Sequence, residues 1–153
     1  MLEGRIYQNA YVTRDIDQTF AAFTARADAR SAIKFEATSE VVTAAGRGSQ
    51  TVKLAFIWVG DFQYELIEPV REPTSMFGDW LPDGDGPRFH HSCARVDDWD
   101  DFRARAGQSP YPVVIEGAGQ DLRFLFLDTR ALLGHYMEYT WMADTAWERI
   151  GGR

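Results

Sequence analysis

Arg88-Phe-His-His-Ser-Cys-Ala-Arg-Val-Asp-Asp-Trp-Asp100 reads as a short strand that opens on a histidine pair and turns through an acidic corner into a helix. A matching stretch lies near the N-terminus: Arg5-Ile-Tyr-Gln-Asn-Ala-Tyr-Val-Thr-Arg-Asp-Ile-Asp17. Aligned on Gln8 and His91, both copies carry aspartates seven and nine residues on (Asp15 and Asp17, Asp98 and Asp100), with an apolar residue, Ile16 or Trp99, between them. One strand–turn–helix unit therefore occurs twice, with His91 standing where the first copy has Gln8.

The segments downstream of the two copies repeat as well. After the first, Ile16, Phe20 and Phe23 give a helix one apolar face, capped by Asp15 or Asp17, and the helix is expected to fade near Ala29 or Arg30. Strands are predicted at residues 33–42, 52–59 and 62–67, with a flexible turn at 45–49 and a hairpin turn at Gly60-Asp61. After the second copy, Trp99, Phe102 and Ala106 form a helical stripe ended by Gly107, and strands are predicted at 112–116, 121–127 and 135–140. The expected fold is α+β, two tandem βαβββ modules (5–70 and 88–140) within a single domain spanning 1–153. Residues 71–87, with Pro73, Pro82, Pro87 and three glycines, read as a linker that packs through Met76, Phe77, Trp80 and Leu81, either as a lid or as a strap. The tail 141–153, with Trp141, Met142 and Trp147, reads as a short helix or extension packing on a neighbour.

Composition narrows the partners. Of the residues, 45% are apolar and 25% charged, as in an ordinary globular domain, and 153 residues suffice to bury a core. The net charge of −7 with no basic stripe disfavours nucleic acid and anionic membranes, so a small molecule is the expected partner. No apolar run reaches the ~18 residues of a membrane span, and the N-terminus lacks a signal-peptide core, so a cytoplasmic protein is expected. The single cysteine, Cys93, leaves no thiolate cluster for zinc.

Against this background four polar residues stand out. Strand neighbours on one face lie two residues apart, so Glu65 shares a face with Gln63 and Ile67, and Glu138 shares one with Tyr136 and Thr140. Gln8 and His91 begin the equivalent first strands, and the register assigns His90 to the opposite face. A buried carboxylate is costly unless it is paired or bound to a cation. Taken singly, each is an ordinary strand residue; their repeat-related placement instead suggests one metal shared between the modules.

The pieces Gln8…Asp15-Ile-Asp17, Tyr64-Glu-Leu-Ile-Glu-Pro69, Phe89-His-His-Ser-Cys-Ala-Arg-Val-Asp-Asp98 and Gly134-His-Tyr-Met-Glu-Tyr139 resemble the vicinal-oxygen-chelate superfamily, which includes glyoxalase I, methylmalonyl-CoA epimerase, extradiol dioxygenases and bleomycin-resistance proteins. The resemblance spans nearly the whole chain. It implies sheets curled around a cup and a metal held by Gln8, Glu65, His91 and Glu138, one residue from each of four strands. It also implies a single divalent ion such as Zn, Ni, Co or Mn, with positions left for a substrate chelating through two neighbouring oxygens. The implied chemistry is proton transfer next to a carbonyl (an isomerase, epimerase or lyase) with Glu138 or Glu65 as the proton-transferring base. Arg95, Arg123 and Tyr136 are candidate substrate contacts, and relatives of this size are expected to pair as homodimers.

Two other readings stay open. One is a non-catalytic binding protein of the bleomycin-resistance type, whose cup Phe56, Trp58, Phe124 and Phe126 would line. The other is an Fe(II) dioxygenase, disfavoured because Gln8 stands where that chemistry needs a first histidine. Epimerases of this family carry a further acid–base carboxylate in the strand before Glu65, and here Lys53 falls near that position.

Overall fold

The structure is a computed structural model describing residues 3–153. Its first module runs β1 (Arg5–Val12), α1 (Ile16–Thr24), β2 (Ser31–Thr43), β3 (Gly46–Val59) and β4 (Phe62–Arg71). The second runs β5 (Arg88–Arg95), α2 (Trp99–Ala106), β6 (Val113–Ala118), β7 (Leu122–Leu127) and β8 (Tyr136–Met142). Short helical turns, α3 (Arg130–Leu133) and α4 (Asp144–Arg149), flank β8. The mixed α+β fold expected from the repeat is the one found.

Both helices begin where the repeat aspartates stand. Asp15 accepts from the Gln18 backbone N–H at 2.9 Å and Asp98 from that of Asp101 at 3.0 Å, each satisfying a free N–H of a first turn. Helix α1 is shorter than its apolar pattern suggested and stops at Thr24. The flexible turn expected at 45–49 is instead mostly strand. The β2–β3 hairpin turns on Ala44 and Ala45 alone, and Gly46, at φ +112°, supplies the backbone conformation that lets β3 start at once.

The eight strands close on themselves in the order β1-β4-β3-β2-β6-β7-β8-β5. The modules join at two seams. One is the antiparallel β1–β5 pairing; the other is the β2–β6 pairing, where only Val41–Thr43 meet Ile115–Gly117. Residues 31–40 of β2 pair with β3 alone, so the wall is open beside them.

The linker is a strap that packs. Met76 and Phe77 are buried in the same cluster as Ala10, Ile67, Phe126 and Tyr136, and Glu72 ties the turn by accepting from the backbone N–H groups of Phe77 and Gly78 at 2.8 Å each. The tail packs on its own chain: Trp147 is buried edge-on to Tyr7 and Trp58, at 4.8 and 5.4 Å. Among the described residues no helix is long and apolar enough to cross a membrane.

Candidate metal centre

Four adjacent strands, β4, β1, β5 and β8, set the site in two neighbouring rows. One row runs Glu65, Ala10, His91 and Tyr136; the next runs Gln63, Gln8, Cys93 and Glu138. Pairing β1 parallel to β4 and antiparallel to β5 brings residues more than fifty positions apart into register. Ala10, fully buried and small, stands between Glu65 and His91 and leaves space above it.

Glu65, His91 and Glu138 offer ligand atoms that all lie within 4.8 Å of one another. The His91 Nε2 atom is 3.1 Å from Glu138 Oε2 and 3.5 Å from Glu65 Oε2. Gln8 is buried beside them. Its Nε2 donates to Gln63 Oε1 at 2.5 Å, and its Oε1 is buried without a hydrogen-bond partner. A buried acceptor of that kind is costly unless something positive completes it.

The histidine pair departs from simple alternation. The β1–β5 register steps from Ala10↔His91 to Tyr11↔Phe89, a bulge that leaves His90 unpaired. His90 is therefore not on an outer face, as strict alternation implied. It is fully buried, stacked on Tyr136 at 4.9 Å and covered by Phe77 and Trp80 of the strap. Burial, followed by the neighbouring His91, pushes its pKa down to about 2, so it is neutral. Its Nε2 lies 3.3 Å from the Met76 carbonyl, which only accepts, so Nε2 carries the hydrogen and Nδ1 is free to accept. His91 Nδ1, 2.8 Å away, donates to it. This holds the His91 ring with Nε2 turned toward both carboxylates, the outer-partner arrangement usual for a ligating imidazole.

Electrostatics match that geometry. Burial lowers the His91 pKa, but the hydrogen bonds and charges of Glu138 and Glu65 more than offset it and raise it to about 9. Burial raises the Glu65 pKa despite the opposing bond from His91. A proton on His91 Nε2 between two carboxylates marks a place where positive charge is stabilised. The donor set, two carboxylates, one imidazole and one orphaned amide oxygen, fits a divalent cation.

Beyond this centre, Tyr7 enters from β1 at a second register shift, between Ile6 and Gln8. Its hydroxyl is 3.3 Å from Thr140 Oγ1 and 3.5 Å from Cys93 Sγ. Burial raises both the Tyr7 and Cys93 pKa values, so both groups are neutral. Adjacent residues of a regular strand cannot both face inward, so nothing in the periodicity pointed to Tyr7 beside Gln8. Gln63, by contrast, shares a face with Glu65 in the sequence itself.

Above the centre opens a cavity of about 550 Å³, lined by Gln8, Glu65, His91 and Glu138 at its polar end and by Val52, Leu54, Phe56, Phe124 and Phe126 along its walls. Trp58 does not line it but packs against Trp147. Arg95 and Arg123 lie outside. Arg95 donates to the Met142 carbonyl and stacks over Trp147, while Arg123 pairs with Asp100 over Trp141. The Tyr136 ring is held between His90 and the Arg130 guanidinium. Lys53 also points away from the cavity, to Glu68 at 2.6 Å. The residues that β2 and β3 turn into the cavity, from Ile33 to Ser39 and from Gln50 to Phe56, include no carboxylate.

An eight-stranded closed sheet of paired βαβββ modules, with polar residues from four strands gathered at one end of its cavity, defines a glyoxalase-like protein. The chain belongs to the glyoxalase/bleomycin resistance protein/dioxygenase superfamily, whose family model matches residues 7–126. Its fold is similar to that of methylmalonyl-CoA epimerase from Mycobacterium tuberculosis, with 18% identity, 97% of each chain covered and a TM-score of 0.64. It is also similar to a variant of Streptomyces coelicolor methylmalonyl-CoA epimerase in complex with 2-nitronate-propionyl-CoA, at 22% identity, covering 92% of this chain and 95% of that one, TM-score 0.64. A hypothetical protein from Bacillus halodurans is 15% identical over 91% of this chain and 94% of its own, TM-score 0.63. No curated protein matches the chain in sequence.

Proposed function

We propose that this chain is a metal-dependent isomerase, epimerase or lyase that moves a proton next to a carbonyl of a small metabolite. The observation that carries the reading is the convergence of Glu65, His91 and Glu138 within 4.8 Å at the polar end of an otherwise apolar cavity. The Gln8 amide oxygen, buried without a partner, supports it. Gln8, Glu65, His91 and Glu138 would hold one divalent ion (Zn, Ni, Co or Mn), which when bound supplies Lewis-acid stabilisation of an enolate or enediolate oxygen.

The residues divide the remaining work. Glu138 takes the proton from the carbon next to the carbonyl and returns it, as general base and then acid, with Glu65 the other candidate. The His90–His91 bond keeps the imidazole turned toward the carboxylates. The apolar walls exclude water, so the electrostatic contribution of the polar end is larger than it would be in solution. Because β2 and β3 offer no carboxylate to the cavity, a second acid–base group beside Glu138 would have to be Glu65, on the other outer strand of the site. Isomerisation and elimination need only one of the two, whereas epimerisation needs both.

A panel of α-hydroxyketones incubated with metal-loaded protein in deuterated buffer tests the proposal. Exchange of the C–H next to the carbonyl, lost by roughly 10²- to 10⁴-fold in Glu138→Gln, is the expected result. Unchanged exchange in Glu138→Gln contradicts the assigned role. Non-catalytic binding of an apolar ligand is the second reading, supported by the same phenylalanine-lined walls. It predicts ligand binding that survives metal removal with no exchange at all.

A further inference from the structure

The walls of the cavity carry information about the substrate that the metal centre does not. Beyond the polar end, the lining is built from Ile33, Phe35, Leu54, Phe56, Phe124 and Phe126. Four of these rings meet edge-on in two pairs, Phe35 with Phe56 at 5.2 Å and Phe124 with Phe126 at 6.3 Å, so both walls present aromatic surface. Residues 31–40 of β2 pair with β3 only, so the gap between them and the lining residues Gly119, Gln120 and Leu122 is where a ligand would enter. At that opening Phe35 is 38% exposed, an apolar surface that an entering apolar ligand would remove from water.

Charge points the same way. Among the described residues lining the cavity, Arg149 is the one lysine or arginine, and Asp121 already holds it at 3.8 Å. The remaining charges of the lining belong to Glu65, His91 and Glu138 at the far end. A substrate carried on a phosphate-rich or carboxylate-rich handle would find a single arginine, Arg149, and no lysine in a lining that also holds three carboxylates.

We propose that the substrate is an apolar molecule of low charge, such as a fused or linked aromatic ring system, with two neighbouring oxygens at one end, and not a thioester of coenzyme A. The oxygen-bearing end of this description rests on the proposed function; the apolar body rests on the walls alone. The ligand enters past Phe35, lies between the β2–β3 wall and β7, and directs its oxygen pair to Glu65, His91 and Glu138.

The test uses the full chain, metal-free and loaded with zinc or manganese. The probes are flavonol, whose hydroxyl neighbours its carbonyl, plain flavone, which lacks that hydroxyl, and propionyl-CoA. Binding is read by fluorescence and calorimetry. Expected are binding of both flavones to metal-free protein, at least a roughly tenfold gain for flavonol alone on metal loading, and no displacement by propionyl-CoA. Ala37→Trp, which fills the cavity from the β2 wall, should abolish flavone binding while metal affinity stays unchanged. If that variant does not fold by circular dichroism, Leu54→Trp on β3 serves the same purpose. Metal-loaded protein that ignores both flavones and takes propionyl-CoA overturns the proposed substrate class while leaving the metal reading intact. Protein that takes up no metal yet binds both flavones equally overturns the metal reading and the oxygen-paired end, and leaves the apolar body standing.

Discussion

The side-chain amide of Gln8 is clamped by that of Gln63: the Gln8 Nε2 donates to Gln63 Oε1 at 2.5 Å, so the Gln8 Oε1 faces away from it. The two residues are register partners on the parallel strands β1 and β4, and both are buried. An amide can present either its oxygen or its nitrogen. With Gln63 accepting, the Gln8 oxygen is the atom left for a cation.

Gln63→Leu removes the acceptor and frees the Gln8 amide to turn. Affinity for a divalent ion should fall roughly 10- to 100-fold, as for other groups that orient a ligand. Gln63→Glu, which keeps an acceptor for the Gln8 N–H, should lose less. Metal-chelator competition on the folded variants measures both.

Metal and proton compete for His91. Burial alone would lower its pKa, but the bonds and charges of Glu138 and Glu65 raise it to about 9, so the metal-free site carries a proton at neutral pH. Binding a cation should therefore release about one proton per chain at neutral pH. Calorimetry in buffers of different ionisation enthalpy counts it.

The same shift sets a stability profile for the metal-free protein. The folded-state pKa lies above the unfolded value of about 6.5. The stabilisation from protonated His91 is thus fully present below about 6.5 and is lost as pH rises through about 9. Urea midpoints should fall between neutral pH and pH values above that range for metal-free protein. Metal-loaded protein, whose His91 has already given up its proton, should show less of this loss.

Trp147 ties the C-terminal turn to the sheet. It lies edge-on to Tyr7 and Trp58, under the Arg95 guanidinium at 4.6 Å, with Gly152 closing over its ring. Trp147→Ala should cost about 3–5 kcal/mol through the cavity it leaves. Urea denaturation checks the magnitude. The site should also suffer, because Tyr7 contacts both Trp147 and Thr140, two residues along β8 from Glu138.

Gly117 on β6 has the Phe124 ring where a side chain would go: a Cβ there would meet it at 2.4 Å. Gly117→Ala should cost about 1–3 kcal/mol by overpacking and push Phe124 into the cavity it lines. Thermal melts and flavone binding would register the two effects separately.

Much of this was legible in the chain because repetition and alternation are local signals. The aspartate pairs at 15/17 and 98/100 marked the two helix starts, and Asp15 and Asp98 are the caps. Glu65, His91 and Glu138 stood out as polar residues at repeat-related strand positions and converge in space. Alternation misplaced His90, since one bulge turns a residue to the other side, and a bulge leaves no sequence period. It missed Tyr7 for the same reason. The clamp between Gln8 and Gln63 depends on which strands pair, a long-range fact that no local pattern carries. The tail aromatics were legible as apolar, but whether Trp147 would cover its own chain or a neighbour depended on where β3 and β1 ended.

Everything proposed for the polar end requires that Gln8, Glu65, His91 and Glu138 form one cation site. Calorimetric titration of chelator-treated protein with zinc or manganese tests this most directly, alongside Glu138→Gln and His91→Ala. The predicted result is one ion per chain with proton release, and binding lost in His91→Ala and weakened in Glu138→Gln. Folded wild-type protein that binds no divalent ion, or that binds it equally well in His91→Ala, would contradict it.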